Sequence, residues 1–104
     1  MYYLLNSAVI TGPGKYSYQL LTADEASNWL KNHEFVSRVG YPATADHIKT
    51  LSGIRPPLSR ESTVMQTGDE ALIVRLKYRV VPSHKHSLVP GPGDWEYGLL
   101  IKLS

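Results

Sequence analysis

The chain is predicted to fold as an α+β domain, a mixed and largely antiparallel sheet flanked by short helices. Three observations predict it. Strand-like runs rich in aromatic and β-branched residues outnumber helical ones. Two short segments repeat apolar residues at helical spacing. Glycine- and proline-bearing turns punctuate most of the junctions between them. With 104 residues, 42% of them hydrophobic, the chain suits a single domain, 1–104, with a core of its own.

Tyr2–Ile10 reads as a strand that stops at Thr11-Gly12-Pro13-Gly14, and Tyr16–Leu21 as its hairpin partner. Thr22-Ala23-Asp24-Glu25 is a capping box, in which the Thr hydroxyl accepts from the Glu25 N–H while Glu25 reaches back. It opens a helix to about Asn32, with Ala26, Trp29 and Leu30 inward. Phe35–Val39 is a short extended piece. A second helix spans roughly Thr44 to Ser52, with Ile48 and Leu51 inward and Gly53 as its stop. Arg55-Pro56-Pro57 cannot continue a helix and marks a loop. Ser62–Gln66 is strand-like, Thr67-Gly68-Asp69 a turn, and Ala71–Val81 the strongest strand. In that strand Leu72, Val74, Leu76 and Tyr78 alternate with Ile73, Arg75, Lys77 and Arg79, so the basic residues share a face open to solvent or ligand. Pro82 to Asp94, with three prolines and two glycines, reads as a long loop, and Trp95–Leu103 as the closing strand.

Composition excludes several classes. No apolar run approaches membrane-span length, and the N-terminus has no basic region followed by a long apolar core. The absence of cysteine excludes disulfides and thiolate metal sites and suits a reducing interior, so the cytoplasm is the expected compartment. A net charge of +2 is too small for non-specific binding to long nucleic acid, but leaves room for a compact anion held by a few arginines. Seven tyrosines against one phenylalanine favour strands, and also suit nucleotide pockets. No cofactor is expected: Walker and Rossmann glycine patterns and a serine nucleophile elbow are missing. Of His33, His47, His84 and His86, the last two are two apart in the long loop. No local ligand completes a metal set, so no metal site is expected.

The stretch Gly40-Tyr41-Pro42-Ala43-Thr44-Ala45 carries the functional signal, because it leads into the second helix. Helix starts expose unpaired N–H groups and partial positive charge, which bind phosphate. Arg60, after the Pro-Pro loop, and Arg79, at the end of the strongest strand, supply guanidinium groups that grip phosphate bidentately. His47 lies one turn after Thr44 and either lines the same pocket or sits on the helix surface, the second being the ordinary case.

The order of these pieces resembles a known family. Leu5-Asn6-Ser7 is followed by Gly40-Tyr41-Pro42-Ala43-Thr44-Ala45, a helix ending Leu51-Ser52-Gly53, then Ser59-Arg60, Thr67-Gly68-Asp69-Glu70-Ala71-Leu72-Ile73 and Tyr78-Arg79. The pattern is similar to the small ring nucleases of archaeal viruses, bacteriophages and mobile elements known as type III anti-CRISPR proteins. The resemblance spans nearly the whole chain and is weakest over Val81–Asp94. It implies a homodimer that binds cyclic tetra-adenylate, a second messenger of antiviral defence, in a cleft across the two-fold axis and degrades it. It also implies ligand contacts from Asn6, Gly40, Thr44, Arg60 and Arg79. The family's general-acid histidine falls at Tyr41, and its acidic residue after the second arginine has no counterpart in Val80-Val81-Pro82.

General acid catalysis is worth about 10²–10⁴-fold and needs a pKa near working pH. A phenol, ordinarily titrating near ~10, is a poor replacement. A tyrosine does offer a stacking face for a base, worth roughly 1–3 kcal/mol. The expectation is therefore a phage or mobile-element anti-defence protein that sequesters a cyclic oligonucleotide or related messenger, with Tyr41 in the ligand-binding set. One alternative is an active, metal-independent ring nuclease with Tyr41 or His47 as catalytic residue. The other is a non-catalytic structural or regulatory protein that keeps only the fold.

Overall fold

The computed structural model describes residues 1–6, 12–61, 63–76 and 94–104. Five strands and two helices follow in the order β1 (Tyr2–Leu5), β2 (Tyr16–Leu21), α1 (Ala23–Asn32), β3 (Val36–Arg38), α2 (Pro42–Ser52), β4 (Glu70–Leu76) and β5 (Trp95–Lys102). They form one sheet in the order β2-β5-β4-β1-β3. β1 pairs in parallel with both β3 and β4, while β5 is antiparallel to both β4 and β2. The predicted α+β class with a mixed sheet is what the chain adopts. Its antiparallel character resides entirely in β5; the other four strands run the same way.

The predicted β1–β2 hairpin does not form. β2 pairs with β5 along its whole length, Tyr16 opposite Lys102 through Leu21 opposite Tyr97. β1 sits between β3 and β4. Strand alternation read from a sequence reports a buried face, not a partner, so nearness along the chain suggested the wrong neighbour. Residues 63–66 of the predicted Ser62–Gln66 strand take no strand pairing. They serve instead as a cover for the sheet, with Met65 packed beside Ala71, Ile73 and Leu100. β4 is described to Leu76, so the expectations for Lys77–Val81 and for the loop with His84 and His86 fall outside the described residues.

Both helices lie on one face of the sheet. Ala26, Trp29 and Leu30 of α1 and Ala45 and Ile48 of α2 pack against Leu4, Leu72, Val74, Trp95 and Tyr97. Leu4, Ile48, Leu72 and Val74 are completely buried, so each contributes the roughly 1.5–3 kcal/mol of a fully enclosed aliphatic side chain. The helices touch through the Ser27 hydroxyl, which donates to the Leu51 carbonyl at 3.1 Å. The opposite face carries the smaller cluster around Met65, with Tyr3, Leu5 and Tyr16 against it. Beyond it Arg75 bonds Glu96 across β4 and β5 with Nε 2.7 Å from Oε2, which puts the first basic residue of β4 on the helix-free face, as its alternation predicts.

The predicted helix boundaries need one adjustment. α2 starts at Pro42, two residues before the expected Thr44. Proline at the first helical position lacks an N–H that would be unpaired there anyway, and its fixed φ suits the helix. Gly53 ends α2 as predicted, in left-handed geometry (φ 81°) with its N–H donating to the Lys49 carbonyl at 2.7 Å.

Candidate functional site

Four co-directional strands bring their carboxyl ends to one side of the sheet. In open sheets with parallel strands, ligands bind beyond those ends. Here Asn6 follows β1, Thr22 and α1 follow β2, and Val39-Gly40-Tyr41 and α2 follow β3. α2 then carries the chain back toward β4, with Ala45 and Ile48 packed on the core face of the sheet.

The start of α2 is bare. Tyr41 is the N-cap residue, in extended geometry (φ −114°, ψ 126°), and its side chain makes no capping hydrogen bond. The first turn holds no acidic residue. Helical bonding begins with the Ala45 N–H donating to the Tyr41 carbonyl at 3.1 Å, so the Ala43 and Thr44 N–H groups have no intrahelical acceptor. Thr44 is only 6% exposed. Neither its hydroxyl nor that of Tyr41 has a hydrogen bond among the described residues.

A loop delivers Arg60 to this point. Ser37 Oγ donates to the Pro57 carbonyl at 2.7 Å, and the Ser59 N–H donates to the Val39 carbonyl at 2.9 Å. The loop therefore runs along the outer edge of β3 and past Gly40. A Cβ on Gly40 would stand 3.1 Å from Arg60 Cγ and 3.7 Å from its Nε. A side chain at Gly40 would press on the Arg60 stem and push it aside by a few tenths of an ångström. Arg60 Cζ then lies 5.9 Å from the centre of the Tyr41 ring, within cation–π range, and Tyr41 remains 57% exposed. Arg60 has no ion pair or hydrogen bond among the described residues.

The structure thus gathers Gly40, Tyr41, Thr44 and Arg60 at one end of α2. Asn6, half-buried, follows Leu5, which pairs with Arg38 two residues before Gly40, so it lies at the same end of the sheet. Arg79 lies outside the described residues. The arrangement brings together groups of the kind that can receive an anion: two helix N–H groups with no intrahelical acceptor, a guanidinium with no ion pair among the described residues, and a largely exposed tyrosine ring beside it.

His47 departs from the surface position expected for it. Its ring stacks on Trp95 with centroids 4.3 Å apart and planes 6° from parallel, and Nε2 shares a 2.6 Å hydrogen bond with the Tyr97 hydroxyl. Burial lowers the His47 pKa below the usual imidazole value and raises that of Tyr97 above the usual phenol value. Both groups are therefore neutral at neutral pH. His47 ties α2 to β5. Sequence spacing along α2 could place the histidine near Thr44, but could not reveal Trp95 and Tyr97, which lie about fifty residues away in the chain. Arg38, the last residue of β3, also stands two residues before Gly40, a closeness that the sequence itself displays. Among the described residues no group of three or more His, Cys, Asp or Glu side chains comes together as a metal site would require.

Fold and site together define a small α+β protein with an uncapped helix start, flanked by an arginine, at the carboxyl ends of its co-directional strands. Comparison with known proteins places it further. The STIV B116-like family model matches residues 2–87, and the chain belongs to that family. ORF117 of Acidianus two-tailed virus is 31% identical over 83 residues, covering 75% of this chain and 71% of the viral protein. Protein 26 of a Sulfolobus islandicus filamentous virus is 36% identical over 85 residues, covering 77% and 71%. YddF of Bacillus subtilis is 38% identical over 60 residues, covering 56% of each chain. Among solved structures, B116 of Sulfolobus turreted icosahedral virus superposes with a TM-score of 0.73 at 17% identity, covering 96% of this chain and 97% of that one. That likeness shows the fold. The viral relatives support the viral character expected from the sequence.

Proposed function

We propose that this protein is an anti-defence protein that binds and sequesters a cyclic oligonucleotide, or a related nucleotide second messenger, in a cleft between two copies of itself. The observation that carries the reading is the uncapped start of α2 beneath an exposed Tyr41 ring with Arg60 over its face. Phosphate would sit on the Ala43 and Thr44 N–H groups and on Arg60. A base would stack on the open face of Tyr41. The geometry favours holding over cutting. The position of the expected general acid carries a phenol, and His47 Nε2 is committed to Tyr97.

Isothermal calorimetry with cyclic tri-, tetra- and hexa-adenylate and with linear controls tests this. Binding of a cyclic ligand, recovered intact by mass spectrometry after prolonged incubation, is the expected result, with sedimentation reporting a dimer. No binding to any of them would sink the proposal. Linear product in the absence of metal would turn the reading to ring nuclease, with Tyr41→Phe and His47→Ala locating the proton donor.

A further inference from the structure

Arg38 is the last residue of β3, two before Gly40. Its side chain is only 23% exposed, and its Nε is buried with no hydrogen-bond partner among the described residues. What the rest of the guanidinium receives is slight. Nη1 donates to the carbonyl of the neighbouring Ser37 at 3.2 Å, and Nη2 stands 3.6 Å from Glu61 Oε2. Glu61 itself is 77% exposed. A guanidinium withdrawn from water ordinarily gains a full set of acceptors in exchange, and here it has one backbone oxygen and one loose carboxylate.

Among the described residues Glu61 is the one carboxylate that pairs with either Arg38 or the neighbouring Arg60. Arg60 precedes Glu61 in the chain and packs where the Gly40 side chain would be. Arg38 and Gly40 are alternate residues of the chain leaving β3, and alternate residues of extended backbone face the same side. Arg38 and Arg60 therefore lie toward the same side of the chain at this turn, with Glu61 reaching toward Arg38 from the loop. A planar guanidinium offers forked N–H donors that match two phosphate oxygens, and a pair of them matches a diphosphate or two successive phosphates.

We propose that Arg38 and Arg60 form a paired guanidinium site for phosphate groups of the ligand, and that the Glu61 carboxylate is an internal anion which the ligand displaces from Arg38. The proposal rests on the reading of the α2 start as a nucleotide site and adds to it a residue and an exchange. Because Glu61 is so exposed, its attraction to Arg38 is weak and its release into water costs little. A phosphate, with more charge and more acceptor atoms, would replace it and complete the bonds that Arg38 lacks.

The test is an NMR titration following the arginine Nε–Hε resonances, with inorganic pyrophosphate and with cyclic tetra-adenylate as separate probes. It is run on the unaltered protein and on Arg38→Ala, Arg38→Lys and Glu61→Gln. Both probes are expected to shift the Arg38 and Arg60 resonances. Arg38→Ala should weaken binding about tenfold, as for loss of a charge-assisted pair, and Arg38→Lys should not restore it. Glu61→Gln, an exposed change that leaves the fold alone, should tighten binding about twofold to fivefold. Pyrophosphate binding that depends on Arg38, without any cyclic tetra-adenylate binding, would uphold the arginine pair and remove that ligand from the proposed function. Cyclic tetra-adenylate binding that is unchanged in Arg38→Ala and Glu61→Gln would overturn the pair and leave the function standing. If neither probe binds, both fall.

Discussion

The two helices of this protein begin at the same end of the sheet, rest on the same face of it, and are finished in opposite ways. α1 is sealed. Thr22 Oγ1 accepts from the Glu25 N–H at 3.2 Å, Glu25 Oε1 accepts from the Thr22 N–H at 2.9 Å, and Asp24 and Glu25 offset the positive end of the helix dipole. α2 has no capping side chain, no acid in its first turn, a tyrosine as N-cap, and a guanidinium where a carboxylate would be expected. A helix start left uncapped forgoes about 1 kcal/mol of stability. That one helix is completed and its neighbour is not singles out the start of α2, since departures from local sequence rules gather where function claims a position.

The largest effects should show that the helices differ only at their starts. Leu30 of α1 and Ile48 of α2 are both buried in the same core. Leu30→Ala and Ile48→Ala should each lower unfolding free energy by about 2–5 kcal/mol, read from urea denaturation. A much smaller loss for Ile48→Ala would mean α2 is loosely seated as well as uncapped. Next in size, Tyr41→Asp gives α2 the cap that α1 has. It should raise stability by about 1 kcal/mol while reducing phosphate-ligand affinity at least about tenfold, because the new carboxylate takes the N–H groups and repels the anion. Stability and binding moving together would mean that the open cap is not the binding feature.

Much of this contrast was legible in the sequence, because caps are local. Thr22 and Glu25 announce α1, Pro42 and Gly53 bracket α2, and Gly40-Tyr41 preceding a helix already marks an unusual start. The hydrophobic alternation of β4 likewise gave its two faces correctly, with Arg75 away from the helices. What escaped was long-range. The Tyr2 and Tyr16 runs look like a hairpin, and nothing in their alternation says that Leu20 will lie opposite Gly98 instead. Nor does α2 disclose that His47 will meet Trp95 and Tyr97. The approach of Arg60 to Gly40 was half legible: both were singled out, but what joins them is the Ser59–Val39 and Ser37–Pro57 bonding, which depends on the loop's path.

Thr22→Ala provides the converse of the Tyr41 change. It should cost about 1 kcal/mol by loss of the capping box and leave ligand affinity unaltered, by calorimetry alongside thermal unfolding. A change in affinity would mean that the two helix starts are coupled through the α1–α2 contact at Ser27 and Leu51.

The smallest effect concerns how α2 is held in place. Burial lowers the His47 pKa below its unfolded value near 6.5, so as pH falls the unfolded chain takes up a proton before the folded one does. The contribution of neutral His47 to stability is thus fully present above about pH 6.5 and is lost as pH falls through the folded pKa. His47→Gln, which keeps a hydrogen-bonding group for Tyr97 but cannot titrate, should flatten that part of the profile. The measurement is the difference in urea midpoint between pH 8 and pH 5, compared for the two proteins so that contributions from the rest of the chain cancel. If the difference is the same in both, His47 does not couple protonation to the seating of α2. If it shrinks in the variant, ligand affinity measured at the two pH values would show whether loosening this anchor reaches the open end of the helix, about a turn and a half away.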